Sequence, residues 1–174
     1  MAFLIDGYNL MYAVGVYPAS GDRAAFDAAR RRFLDWLSGQ PAIKAVPVRV
    51  VLDAQYATRD HGTTRHRGLV VTYTFNQTAD DLIETLIDID LNPQRLRVVS
   101  NDHRIRTAAK RGRCRALSCE AFMDWLQSNG DTGDEKPTPA PVPVTDKPLP
   151  MSDEMAEYLK AFTVPLPSSV RKLK

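Results

Sequence analysis

Along the first 127 residues, short apolar runs alternate with longer segments in which apolar positions recur every three or four residues. Residues 2–5 form a run of the first kind, broken by Asp6-Gly7, and predict a buried strand. A helix capped by Ser20 or Asp22 is predicted through Leu37: Phe26, Phe33, Leu34 and Leu37 share one face, and Gly39 then stops it. Residues 46–52 are rich in β-branched side chains and end at Asp53; after a polar loop, 69–75 is strand-like again. Helical spacing returns at 78–90, where Leu82, Ile83, Leu86 and Ile87 align. A strand at 96–99 runs into Ser100-Asn101-Asp102. A helix at 103–111, a short strand at 114–117 and a last helix at 120–127 follow. Strands and helices in alternation build a parallel sheet, so the fold class is α/β.

The pattern stops where the prolines gather. Residues 137–150 read PTPAPVPVTDKPLP, with no periodic apolar face, as an extended linker does. With the polar, glycine-containing stretch before it, this predicts a compact domain at 1–128, a proline-rich linker at 129–150 and a terminal segment at 151–174. There Ser152 can cap a short helix carrying Met155, Tyr158, Leu159 and Phe162, ahead of a basic end. That segment is expected to dock on the domain or to bind a protein partner.

Composition narrows the class. A chain of 174 residues, 44% hydrophobic and 25% charged, fits one globular domain and excludes disorder throughout. A net charge of +2 excludes a strongly basic coat. No apolar run reaches the roughly 18–20 residues of a membrane span, and the N-terminus has no secretory h-region, so a cytoplasmic location away from membranes is expected. Cys114 and Cys119 are too few for a zinc site and are read as reduced thiols.

The candidate chemistry is carboxylate chemistry. Asp6, Asp53 and Asp102 follow three predicted strands, and the helix at 78–90 opens with Asp80, Asp81 and, one turn on, Glu84. In open parallel sheets ligands bind outside the carboxyl ends of the strands, so these acids are expected to converge. Like charges so placed repel, and an all-oxygen donor set favours Mg²⁺ or Mn²⁺ over zinc. Structural readings stand beside this one: Asp53 as a turn residue, Thr78 and Asp81 as a capping box, Glu84 as part of a solvated face.

Asp6-Gly7-Tyr8-Asn9 after an apolar strand resembles the opening motif of the YacP-like branch of the NYN domains, a subgroup of the PIN-like metal-dependent ribonucleases. Three motifs carry the resemblance in order: LIDGYNLMYA at 4–13, TADDLIETLI at 78–87 and VVSNDHRI at 98–105, supported by VVLDA at 50–54. They span nearly all of 1–127 and leave the tail uncovered. The resemblance implies a Rossmann-like three-layer α/β/α sandwich with a mainly parallel sheet, and endonucleolytic hydrolysis of RNA in mRNA turnover. It implies catalytic roles for Asp6, Asn9, Asp80 and Asp102. Asp6, Asp80 and Asp102 would be metal ligands, Asp81 and Glu84 further candidates for the same ion, and Asp53 a weaker one. The implied attacking group is a water activated by one or two Mg²⁺ or Mn²⁺ ions. Relatives of this branch are linked to mRNA turnover on the ribosome, which makes a ribosome a candidate partner.

RNA needs a surface as well as a site. Arg104, Arg106, Lys110, Arg111 and Arg113 follow Asp102 with no acid among them, and the loop at 59–67 adds Arg59, Arg65 and Arg67 with His61 and His66. Together these form a candidate phosphate-binding track, weighed against a merely solvated face. Tyr8 is read either as a base-stacking ring or as packing, and Trp36 and Trp125 as structural. Competing functions are a catalytically silent RNA- or ribosome-binding module, a PIN-type toxin nuclease, and cleavage of DNA by the same chemistry.

Overall fold

The computed structural model describes residues 1–18, 23–53, 62–74 and 77–128. The expected caps Ser20 and Asp22, the contacts Arg59 and His61, and the linker and terminal segment at 129–174 lie outside these residues. In chain order the elements are β1 (Ala2–Asp6), α1 (Gly7–Ala13), α2 (Arg23–Gly39), β2 (Val48–Asp53), β3 (Gly62–His66), β4 (Leu69–Thr74), α3 (Ala79–Asp88), β5 (Leu96–Val99), α4 (His103–Arg111), β6 (Arg115–Leu117) and α5 (Cys119–Gln127). Short 3₁₀ turns at Pro41–Ala45 and Pro93–Arg95 lead into β2 and β5.

Among the described residues the six strands form one sheet in the order β3-β4-β2-β1-β5-β6. Every pairing is parallel except β3 with β4. Residues of β1 and β2 are buried on both faces, as parallel strands covered by helices must be. Phe3, Ile5, Val50 and Leu52 pack with Leu10 and Met11 of α1, Phe33 and Leu37 of α2, and Phe122 and Trp125 of α5. The Phe3 ring meets Phe122 at 5.1 Å and Trp125 at 4.6 Å. On the opposite face α3 and α4 lie against the sheet and each other, burying Leu82, Ile83, Leu86, Ile87, Ile105 and Ala109. The result is a three-layer α/β/α sandwich.

Two elements differ from the sequence reading. The polar loop before residue 69 contains β3, an exposed antiparallel edge strand with polar side chains. It is closed by the two-residue turn Arg67-Gly68, both at positive φ (45° and 94°), as a twisted hairpin requires. Helix α1 starts directly at the end of β1, too short for its periodicity to register in the sequence.

The chain order decides where a ligand can go. From β1 the chain moves to β2 and then β4 on one side; after α3 it returns to β5 on the other side of β1. The reversal opens a crevice outside the carboxyl ends of β1 and β5, which is where Asp6 and the 100–102 turn lie.

Candidate active site

Asp6 ends β1 and caps α1. Its Oδ1 accepts the Asn9 backbone N–H at 3.2 Å, and its Oδ2 accepts Asn9 Nδ2 at 2.7 Å and the Ser100 hydroxyl at 2.9 Å. The residue is 3% exposed. Burial pushes its carboxyl above the ordinary range, the bonds from Asn9 and Ser100 pull it back, and the nearby Asp80 charge pushes it up again.

Gly7 explains how an acid so placed can also start a helix. A Cβ there would stand 2.8 Å from the Val51 carbonyl oxygen and closer still to the Leu52 side chain, so α1 can begin against β2 only with glycine. Tyr8 donates its hydroxyl to the Asp53 carbonyl at 2.8 Å, and burial pushes its phenol up to about 12. Tyr8 therefore spends its polar end on the tip of β2. Asp53 stands across β1 from β5, away from the reversal.

Ser100 was invisible as a functional residue in the sequence. It is fully buried, and its Oγ donates to Asp6 while accepting the Asp102 backbone N–H at 3.0 Å. One hydroxyl thus fixes the Asp6 carboxylate and the turn that presents Asp102. Asn101 ties this turn to α5, accepting the Cys119 N–H at 2.9 Å and donating to Glu120 at 2.9 Å. Asp102 then caps α4, one of its oxygens accepting the N–H groups of Arg104 at 2.6 Å and Ile105 at 3.3 Å.

Asp80 is different. Among the described residues its carboxylate takes part in no hydrogen bond or ion pair. Partial burial raises its pKa first, the charge of Asp102 raises it further, Arg104 opposes, and Asp81 and Glu84 add to the rise. Asp80 therefore acts on Asp6, 74 positions away in the chain, and Asp102 acts on Asp80.

Asp81 and Glu84 are engaged otherwise. Arg104 of α4 donates Nη2 to Asp81 at 2.6 Å and Nε to Glu84 at 2.5 Å, while Arg111 Nη2 lies 3.9 Å from Glu84. Thr78 caps α3 by accepting the Asp81 N–H at 3.1 Å. Arg104 and Thr78 together hold the Asp81 carboxyl below its ordinary range. The pair thus clamps α3 to α4, and the Arg104 guanidinium is already occupied by two carboxylates.

The remaining basic residues divide. Arg106, Lys110, Arg111 and Arg113 are exposed along and just beyond α4. Arg65 and Arg67 are not brought to the same edge: Arg65 pairs with Val70, near the start of β4, and Arg67 lies in the turn beyond, at the amino end of that strand. There His66 Nε2 lies 3.0 Å and Arg67 Nη1 3.4 Å from Asp35 of α2, pinning the hairpin to that helix. Cys114 and Cys119 are free and buried, their thiols pushed up to about 11 and about 12 by burial, too high for reactive thiolates at neutral pH.

Among the described residues no three carboxylate, histidine or cysteine side chains are gathered closely enough to hold a metal ion between them. The donors nonetheless suit a hard cation. Mg²⁺ commonly takes only one or two protein carboxylates, completing its shell with water and substrate phosphate. Among the described residues the Asp80 carboxylate takes part in no hydrogen bond, and the Asp6 oxygens accept three where about four lone pairs exist.

Among the described residues no helix is long and apolar enough to cross a membrane. A search of curated proteins gave no significant match. Among solved structures the chain is similar to Rae1 (YacP) from Bacillus subtilis. A single-site variant of that protein matches with 25% identity and a TM-score of 0.55, over 74% of this chain and 77% of that one. Its parent structure matches with 22% identity and a TM-score of 0.58, over 74% and 75%. The family model for the YacP-like NYN domain matches residues 3–162, beyond the stretch that the three motifs cover. On that match, and with a fold shared with the Bacillus protein, the chain belongs to the YacP-like NYN domain family.

Proposed function

We propose that the protein is a metal-dependent endoribonuclease that hydrolyses phosphodiester bonds of RNA, mRNA in particular, in the cytoplasm. The observation that carries this reading is a chain of electrostatic influence at the point where the sheet order reverses: Asp80 acts on buried Asp6, and helix-capping Asp102 acts on Asp80. Family membership and the likeness to Rae1 support a nuclease. Asp6 and Asp80 would hold Mg²⁺ or Mn²⁺, with Asp102 beside them. When bound, such an ion neutralises phosphate charge and lowers the pKa of a bound water, which is the chemistry phosphodiester hydrolysis requires. This chain's own residues do the positioning. Asn9 and Ser100 hold the Asp6 carboxylate in one orientation, and Ser100 presents the Asp102 turn. The Arg104 clamp keeps Asp81 and Glu84 from adding two more unpaired charges. Arg106, Lys110 and Arg113 supply a phosphate-binding face leading from Asp102.

The test is cleavage of a labelled RNA by the full chain in Mg²⁺ or Mn²⁺ and in EDTA, with the RNA free or in a translating extract. Metal-dependent cuts that Asp80→Asn abolishes are expected, and cuts confined to translated RNA would identify the ribosome as the partner. Cleavage that survives in EDTA or in Asp80→Asn would overturn the assignment. No cleavage in either setting would point to a silent binding module.

A further inference from the structure

Tyr12 and Tyr17 are the exposed aromatic residues among those described, at 76% and 44%. Exposed rings of that size normally have a reason, because their apolar faces gain by being covered. Both belong to the element that starts at the candidate site. Asp6 caps α1, and Tyr12 lies six residues along it, about 9 Å at the helical rise. Tyr8 and Tyr12 are four apart and share a face of this helix.

The rings are held rather than loose. Tyr17 meets Phe26 edge to face at 5.5 Å, Tyr8 at 6.3 Å and Tyr12 at 6.2 Å. Tyr8 is itself anchored to Phe26 and, through its hydroxyl, to the tip of β2. Helix α1 carries no charged residue (GYNLMYA), so no carboxylate on it would repel a polyanion, and no ammonium would bind phosphate in place of a base. A preset, uncharged, wet-faced aromatic step beside a carboxylate centre matches the chemistry of an unpaired nucleobase. Every base has a π-face, whereas in a duplex those faces are buried in the stack.

We infer that Tyr12 and Tyr17 form a stacking platform for unpaired bases on the helix that starts at the candidate site. The inference rests on the nuclease reading above. Its test is binding by the full chain carrying Asp80→Asn, so that RNA is not consumed, measured by fluorescence anisotropy in Mg²⁺. The probes are a twelve-nucleotide oligouridine and an RNA duplex of equal length. Adding Tyr12→Ala is expected to weaken oligouridine binding about 5- to 150-fold, the range of one lost base stack, and to leave duplex binding within about twofold. Tyr12→Phe, which keeps the ring, is expected to restore single-strand affinity. Equal oligouridine affinity with and without Tyr12, or equal losses for both probes, would overturn the platform while wild-type cleavage left the nuclease reading standing. If the parent bound neither RNA and the wild type cut none, both readings would fall together.

Discussion

Replacing Ser100 by alanine removes two hydrogen bonds from one buried point and should reveal how the site holds its charge. The bond to Asp6 Oδ2 is charge-assisted, at 2.9 Å between buried groups, and is worth about 1.5–3 kcal/mol. The Asp102 N–H loses its acceptor as well, at about 0.5–1.5 kcal/mol. Together Ser100→Ala should destabilise the metal-free protein by about 2–4.5 kcal/mol. For a domain of this size that is a fall in Tm of roughly 6–15 °C. The deficit should depend on pH. Asp6 has a raised folded-state pKa, so the folded protein binds its proton more tightly than the unfolded chain, and stability falls as pH rises through that window. Ser100 opposes this by stabilising the ionised form, and its loss pushes the folded pKa higher still. The deficit must therefore be smaller at pH 4, where more of the folded protein carries the Asp6 proton, than at pH 8. Thermal melts in EDTA at the two pH values measure this, with Asp6→Asn as the background in which the pH-dependent part vanishes. Asparagine keeps the helix cap without the charge. Equal deficits at both pH values, or none, would refute the idea that Ser100 works by holding a buried carboxylate.

Two other substitutions probe the backbone around the site. Gly7→Ala drives a Cβ into the Val51 carbonyl and should cost about 1–3 kcal/mol, seen as a Tm lowered by roughly 3–10 °C. Gly39→Ala, whose Cβ would meet nothing within 4 Å, should raise Tm slightly in the same assay. Helix α4 ends with Arg113 at φ 61°, in a motif where the Arg113 and Cys114 N–H groups return to Lys110 at 3.1 Å and Ala109 at 2.8 Å. Glycine would fit that left-handed position, but the nearby glycine is at 112, where a Cβ would strike Ile87. Arg113→Gly should therefore stabilise by about 1 kcal/mol in a thermal melt; a lowered Tm would contradict the strain.

Much of this site was readable from spacing. The strand at 96–99 and the helix at 103–111 have the expected bounds, because a continuous apolar run and a 3.6-residue period leave little choice. Thr78 caps α3 as its position before Asp80 and Asp81 suggests. Strand β3 was not readable: its side chains are polar and exposed, and only the register with β4 makes it a strand. The same register carries Arg65 and Arg67 to the amino end of the sheet, although in the chain they look like neighbours of the site.

The sequence by itself determined the elements, the α/β class and the acids at strand ends, since these follow from local periodicity and from residues that do not fit a core. Which acids meet was decided by the tertiary structure. Strand order brings Asp6 to the β1–β5 reversal and leaves Asp53 on the far side of it. Packing of α3 on α4 gives Asp81 and Glu84 to Arg104 and leaves the Asp80 carboxylate without a hydrogen bond among the described residues. A buried hydroxyl 94 positions away holds Asp6. Electrostatic coupling depends on distance in space and on desolvation, and neither quantity exists along an unfolded chain.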